Sequence, residues 1–449
     1  MLAFKIISRL SWNIKYPLMT LLTIFALALV VGILVGLFPV LPAWIGPVLL
    51  IPFIDKLEVY HILIFFLIVA IGSQFFGSVA TLLTGIPGEN SSLTYAEDAR
   101  SFNDRQRINL VRDTAWASLI TGVVSLVGTW ILFACVGSYL AQLTSFKIQW
   151  LILGLCVIVI IFSSKNFMLS GLMMFLGIAL ADKTHTDLPD WILKSQTLTA
   201  DTTVFLITIA GVIVPSILFS RKYQTNNASV VAKTYDLKLE KKYIKPIVQG
   251  GLLGYLIGFM PGPAATMSSI LAYRWPKKNY QEGIVRAESA NNGAIIAECV
   301  PFMGLGIPIN TTAVLVYSLL TLKLVPWPSA IYQTVDGISV YSWVFAMSIL
   351  ATFIFFFMST RLLNFYCQLL NRLSTKVIWI WAVLLAGMIG LDLYVTVLDV
   401  RYYLLWFFIM CGLGYVLYRT AISGVAIIFG YVLGDRIIWA AMQLYQYYF

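Results

Sequence analysis

Two short segments carry the residue types best suited to binding chemistry. Residues 84–92 read TGIPGENSS and residues 305–313 read LGIPINTTA, each inside a long apolar run. Proline removes a backbone donor and disfavours helical geometry in the residue before it, so Gly-x-Pro frees main-chain carbonyls and amides. Backbone of that kind is tolerated at membrane depth only inside protein or beside a watery cavity. Helix N-termini exposed this way attract anions, and unwound carbonyls with Ser, Thr and Asn oxygens suit a hard cation such as Na⁺. The first segment offers Gly85, Pro87, Glu89, Asn90, Ser91 and Ser92; the second offers Pro308, Asn310, Thr311 and Thr312. A single such segment reads equally well as a helix end capped by Ser, Thr or Asn. The recurrence favours a binding site.

A third interruption, GFMPGPAATMSS (258–269), joins Pro261, Gly262 and Pro263 to Thr266, Ser268 and Ser269. In RAESANNGAIIAE (286–298), Glu288, Asn291 and Asn292 fall three and four residues apart, on one helical face leading into apolar sequence. Glu288 fits a proton carrier, a cation ligand or a surface residue at a helix start. Glu298 lies deeper and reads as a buried or pH-sensing carboxylate, with CVP after it marking another kink. The two histidines, His61 and His185, stand too far apart for a zinc motif and have no catalytic assignment. Asp392 and Asp435 form no convincing aspartyl pair, and neither a phosphate loop nor a dinucleotide fingerprint is present.

The elements that position these residues follow from composition. With 60% hydrophobic and 11% charged residues among 449, and a mean hydropathy of +0.87, the chain calls for a bilayer as solvent. Runs at 17–38, 61–83 and 203–220 are long enough to cross a hydrocarbon core about 30 Å thick. They are too long for barrel strands, so an all-α polytopic membrane protein is expected, with roughly 11–13 hydrophobic elements, some broken or re-entrant. Lys5, Arg9 and Lys15 precede an apolar run longer than a signal-peptide core, which predicts a retained first helix. Cys135, Cys156, Cys299, Cys367 and Cys411 show no CxxC spacing and read as reduced packing residues. The net charge of +10 gathers in short loops, as orientation charge does, which argues against nucleic acid as a partner.

Two halves are expected: 1–220, then a basic cytoplasmic linker at 221–245 with seven Lys or Arg, then 246–449 with additional C-terminal helices. GILVGLFPVLPA (32–43) matches GYLIGFMPGPAA (254–265) at an offset of 222, and the Gly-Ile-Pro segments match at 221. The glycines at 32/36 and 254/258 need only mean close helix packing. Basic loops at 97–113 and 274–286 follow different motifs in the two halves, and this swap predicts inverted repeats. The acidic 182–201 segment reads as external.

Taken together, GFMPGPAATMSSILAY, ESANNGA, LGIPINTTA and TGIPGENSS, closed by FGYVLGDRIIWAAM (429–442), resemble the large membrane subunit of tripartite tricarboxylate transporters. Departures are Val40 where the family has Gly, Ala287 where it has Pro, and Ile309 where it has Gly. The resemblance implies a secondary transporter of the bacterial inner membrane, not an enzyme and without an organic cofactor. It implies uptake of di- or tricarboxylate-like anions driven by Na⁺ or H⁺, with Na⁺ held at the broken helices. A small membrane subunit and a periplasmic substrate-binding protein are the implied partners. A passive anion channel using the same interruptions as a filter is the competing reading, and a membrane-embedded enzyme the third.

Overall fold

A computed structural model describes residues 17–37, 46, 50, 56–85, 87–89, 91–142, 157, 167–181, 238–260, 263–323, 325, 327–373 and 400–419. The expected span at 203–220, the linker residues 221–237, the acidic segment 182–201, the closing motif at 429–442, Cys156 and His185 lie outside these residues.

The first half begins with α1 (Pro17–Leu37) and α2 (Val59–Thr84), followed by a 3-10 turn at Ser91–Thr94, the short α3 (Ala96–Ser101) and the long α4 (Asp104–Gln142). α5 (Phe167–Ala181) is a shorter apolar helix. The second half contributes α6 (Ile244–Ile257), α7 (Ala264–Arg274), α8 (Tyr280–Ala297) and α9 (Thr311–Leu322), then α10 (Val340–Arg361), α11 (Leu363–Leu373) and α12 (Val400–Arg419). Among the described residues, four helical segments are long and apolar enough to cross a membrane: Met19–Leu37, Val59–Thr84, Asp104–Gly137 and Val340–Arg361. A two-residue hairpin, Thr334–Val335 against Ile338–Ser339, departs from the all-helical expectation. Its turn is Asp336-Gly337, both at positive φ, the pairing that suits a type I′ turn.

α2 is buried on every side from Tyr60 to Thr84, as an all-round apolar helix must be, and packs against α1, α4 and α10. His61 closes its first turn, its Nδ1 accepting from the Glu58 N–H at 3.2 Å, so this histidine has a structural task. α8 holds the equivalent central place in the second half, against α6, α7 and α4. Asn279 caps α8, its side chain accepting from Glu282 N at 2.8 Å.

The glycines of the two matching motifs make like contacts. Gly36 of α1 lets the helix close on Ser73 and Phe76 of α2; Gly258 of α6 closes on Ala294 and Ala297 of α8. Those partners differ by 221 positions, as the two Gly-Ile-Pro segments do. Gly85 and Gly306, which open the segments, share the left-handed region at φ 70° and 76°. The basic stretches 97–113 and 221–245 also meet across the halves, where Arg112 ion-pairs with Glu240 at 3.0 Å, and the Tyr273 hydroxyl of α7 donates to Asp98.

A side chain at Gly254 would overlap the Ala290 backbone, whereas one at Gly128 meets nothing within 4 Å. Gly254→Ala is therefore expected to destabilise by about 1–3 kcal/mol, and Gly128→Ala to be neutral or to stabilise by up to about 1 kcal/mol. Thermal unfolding of the two purified variants in detergent checks this; equal midpoints would refute the proposed helix contact.

Candidate functional site

The first Gly-Ile-Pro segment ends α2. Gly85 is its C-cap, with its N–H on Thr81 O at 2.8 Å. Pro87 has no N–H, so the Leu83 carbonyl loses its helical partner. Arg107 Nη1 takes that carbonyl at 3.3 Å, and Arg100 Nε takes the Gly85 carbonyl at 3.0 Å. The protein's own arginines thus engage both carbonyls, and Gly85 caps the helix. The side chains after the break are differently placed. Thr81 Oγ1 accepts from Gly88 N at 2.8 Å and lies 2.8 Å from Ser92 Oγ, while Ser92 Oγ donates to Glu89 O at 2.8 Å, so Thr81 and Ser92 fix the turn. Gly88 sits against the backbones of Gly77 and Gly36, where any side chain would collide.

Glu89 then points at α8. Asn291 Nδ2 donates to Glu89 Oε1 at 2.8 Å and to Gln74 Oε1, and Ser91 Oγ also donates to Glu89. Asn291 is 1% exposed, and its Oδ1 has no hydrogen-bond partner. One turn earlier on α8, Glu288 is 1% exposed. It accepts from Tyr95 OH at 3.0 Å, Asn292 Nδ2 at 3.1 Å and Ser118 Oγ at 3.3 Å. Asn292 Nδ2 also lies 3.0 Å from Ser118 Oγ. Of the readings left open by sequence, the surface residue is excluded for Glu288. Ser289 continues the seam, 2.5 Å from Thr121 Oγ1 and donating to Ile247 O at 2.6 Å.

The second Gly-Ile-Pro segment meets the far end of the same helix. Glu298, at the C-cap of α8, accepts from Asn310 Nδ2 and from the backbone N–H of Ala265 in the first turn of α7. Asn310 Oδ1 accepts from Ala313 N at 2.7 Å, so the same carboxamide caps α9 and reaches Glu298. A single π turn at Val300–Gly304 contains Pro301 and supplies the kink expected after Glu298. Residues 291 and 298 are two turns apart on one face of α8, about 10 Å along its axis. Both interruptions therefore dock on one helix within a short distance.

The offset of 221 that relates Gly85 to Gly306 also pairs Glu89 with Asn310 and Gly77 with Glu298. Each half thus holds one carboxylate at this place: on the loop in the first half, where Gly77 contacts the Glu89 side chain, and on the helix in the second, where the loop supplies Asn310. Among the described residues, the donors to Glu89, Glu288 and Glu298 are all neutral.

Other expected site residues are less engaged or undescribed. Pro87 and Thr312 are half-buried, and Pro308 is buried in the second break. Thr266 is half-buried in the first turn of α7, next to Ala265. Thr311 begins α9. Asn90, Pro261 and Gly262 lie outside the described residues. Gln74, Tyr95 and Ser118 were not among the expected site residues. Gln74 had a signal, a carboxamide in the middle of a 26-residue apolar helix. Ser269 of α7 joins the halves as well, donating to Ser91 O at 3.0 Å.

Residues 22–431 match the tripartite tricarboxylate transporter TctA family. A curated relative from Agrobacterium vitis, described as an uncharacterized 52.8 kDa protein in the TAR-I ttuC' 3'region, is 25% identical over 330 residues. That alignment covers 67% of this chain and 64% of the relative's own length. No solved structure matches. With the family match running through both Gly-Ile-Pro segments and the whole of α8, this chain belongs to the tripartite tricarboxylate transporter TctA family.

Proposed function

We propose that the chain is the transport-pathway subunit of a secondary uptake system for small di- or tricarboxylate-like anions. It works in the bacterial inner membrane with a small membrane subunit, and a periplasmic binding protein delivers the substrate. The family supports a tripartite tricarboxylate transporter permease. The observation that carries the reading further is the docking of both Gly-Ile-Pro segments on α8, each with one carboxylate and one carboxamide. An ionised carboxylate away from water is costly unless a cation or a proton joins it. With neutral donors only, Glu89 and Glu298 suit the binding of Na⁺ or H⁺ from a driving gradient. The orphaned Asn291 Oδ1 beside Glu89 adds an acceptor to that set. The substrate anion would then meet hydroxyls and amide ends at the breaks, including the N-termini of α7 and α9.

We read the two halves as inverted repeats with re-entrant breaks. The recurring glycine contacts and the shared conformation of Gly85 and Gly306 support duplication, and the swapped loop charge supports inversion.

Proteoliposomes holding the chain with its two partner subunits, tested on a carboxylate panel with and without Na⁺ and pH gradients, examine this directly. Uphill uptake that stops when the gradient is collapsed is expected; downhill flux alone would establish a channel. Asn291→Ala and Asn310→Ala are expected to impair uptake while leaving the protein folded in the membrane. Wild-type uptake by both would remove these residues from the site. Glu298→Gln keeps the side-chain shape but can neither bind a proton nor balance a cation. It is expected to lower gradient-driven uptake roughly tenfold or more, as loss of a charge-assisted hydrogen bond would. Undiminished uptake at a fixed gradient would count against a coupling role.

A further inference from the structure

Away from the breaks, the chain enters its second half over a basic pocket. Residues Lys238–Lys242 and Arg112 of α4 enclose an open cavity of about 390 Å³. Arg112 is 6% exposed and ion-pairs with Asp113 at 2.7 Å and Glu240 at 3.0 Å, and Lys242 pairs with Glu240 at 2.6 Å. Four cationic side chains thus meet two carboxylates, Glu240 in the lining and Asp113 behind Arg112, which leaves the pocket with a surplus of positive charge. The pocket stands at the head of α6, whose first residue is Ile244.

That helix presents an uninterrupted apolar row. Ile244, Val248, Leu252 and Leu256 are spaced by four and are 49%, 52%, 64% and 69% exposed. Residues at that spacing share one face, and the row is about 18 Å long. Half of a hydrocarbon core about 30 Å thick is of the same size. A compact cationic pocket above an exposed row one leaflet deep matches two parts of one molecule, a phosphate-bearing headgroup and its acyl chain. A free anion would use the pocket and have no use for the row.

We propose that this pocket and the α6 row form a binding site for an anionic phospholipid, with the phosphate held by Arg112, Lys238, Lys241 and Lys242 and a chain lying along α6. The site clamps the junction between the halves, because Arg112 belongs to one and Lys238–Lys242 lead into the other. It does not depend on the transport reading, and lipid binding is measured without transport.

Native mass spectrometry of the full chain, titrated with phosphatidylglycerol or phosphatidylcholine, tests it. Preferential retention of phosphatidylglycerol is expected, with a loss of roughly tenfold or more in Lys238→Gln/Lys241→Gln, since each basic residue contributes to attraction of an anionic headgroup. Leu252→Asn, which leaves the pocket's charge intact, is expected to weaken retention as well. Millimolar inorganic phosphate should not displace the lipid. Equal retention of the two lipids, displacement by phosphate, or wild-type retention in either variant would overturn the proposal; the last result would leave the pocket or the row without a role.

Discussion

A carboxylate removed from water must be met by donors or by a cation, and α8 carries two, Glu288 and Glu298, in positions 1% and 7% exposed. Much of the surrounding architecture follows from meeting them. α4 contributes Ser118, the 3-10 segment leads to Tyr95, α9 brings Asn310, and the first turn of α7 supplies a backbone N–H. The first half's own carboxylate, Glu89, reaches across to Asn291 of the same helix. α8 is thereby a polar ladder inside an apolar bundle, and both halves are assembled around it. Such networks are costly when half-satisfied, so their geometry is narrowly specified.

The two halves share a layout and differ in one respect. In both halves a glycine-bearing helix packs tightly on a central helix, and a left-handed glycine then opens a proline break. What differs is where the charge sits. The first half keeps Gly77 on the helix and Glu89 on the loop; the second has Glu298 on the helix and Asn310 on the loop. Exchanging the carriers preserves one acid per half while altering which element holds it. Motion of a loop would displace the acid in one half and only its carboxamide partner in the other.

Much of this was legible in the sequence. Hydropathy alone located α1 and α2, and the glycine pairs 32/36 and 254/258 marked close helix packing without naming the partner helices. Gly-x-Pro located both breaks, and three- and four-residue spacing put Glu288, Asn291 and Asn292 on one face. The partners of those residues were not legible, because Tyr95 and Ser118 lie 193 and 170 positions away and only packing brings them to Glu288. The arginine caps were hidden for a related reason. Arg100 and Arg107 read as orientation charge in a loop, and the contacts they make, with the Gly85 and Leu83 carbonyls at the break, depend on how that loop folds back. Gln74 could have been found as the lone carboxamide in α2; its destination could not.

The central claim is that the two interruptions converge on α8, one at Asn291 and the other at Glu298. Site-directed disulfide cross-linking in a cysteine-free background tests it most directly, with Glu89→Cys/Asn291→Cys in one protein and Glu298→Cys/Asn310→Cys in another, oxidised in membranes and mapped by peptide mass spectrometry. Both pairs are expected to cross-link efficiently, while the mismatched pair Glu89→Cys/Glu298→Cys, about two helical turns apart, should not. Failure of both matched pairs, with the protein folded and membrane-inserted, would contradict the account.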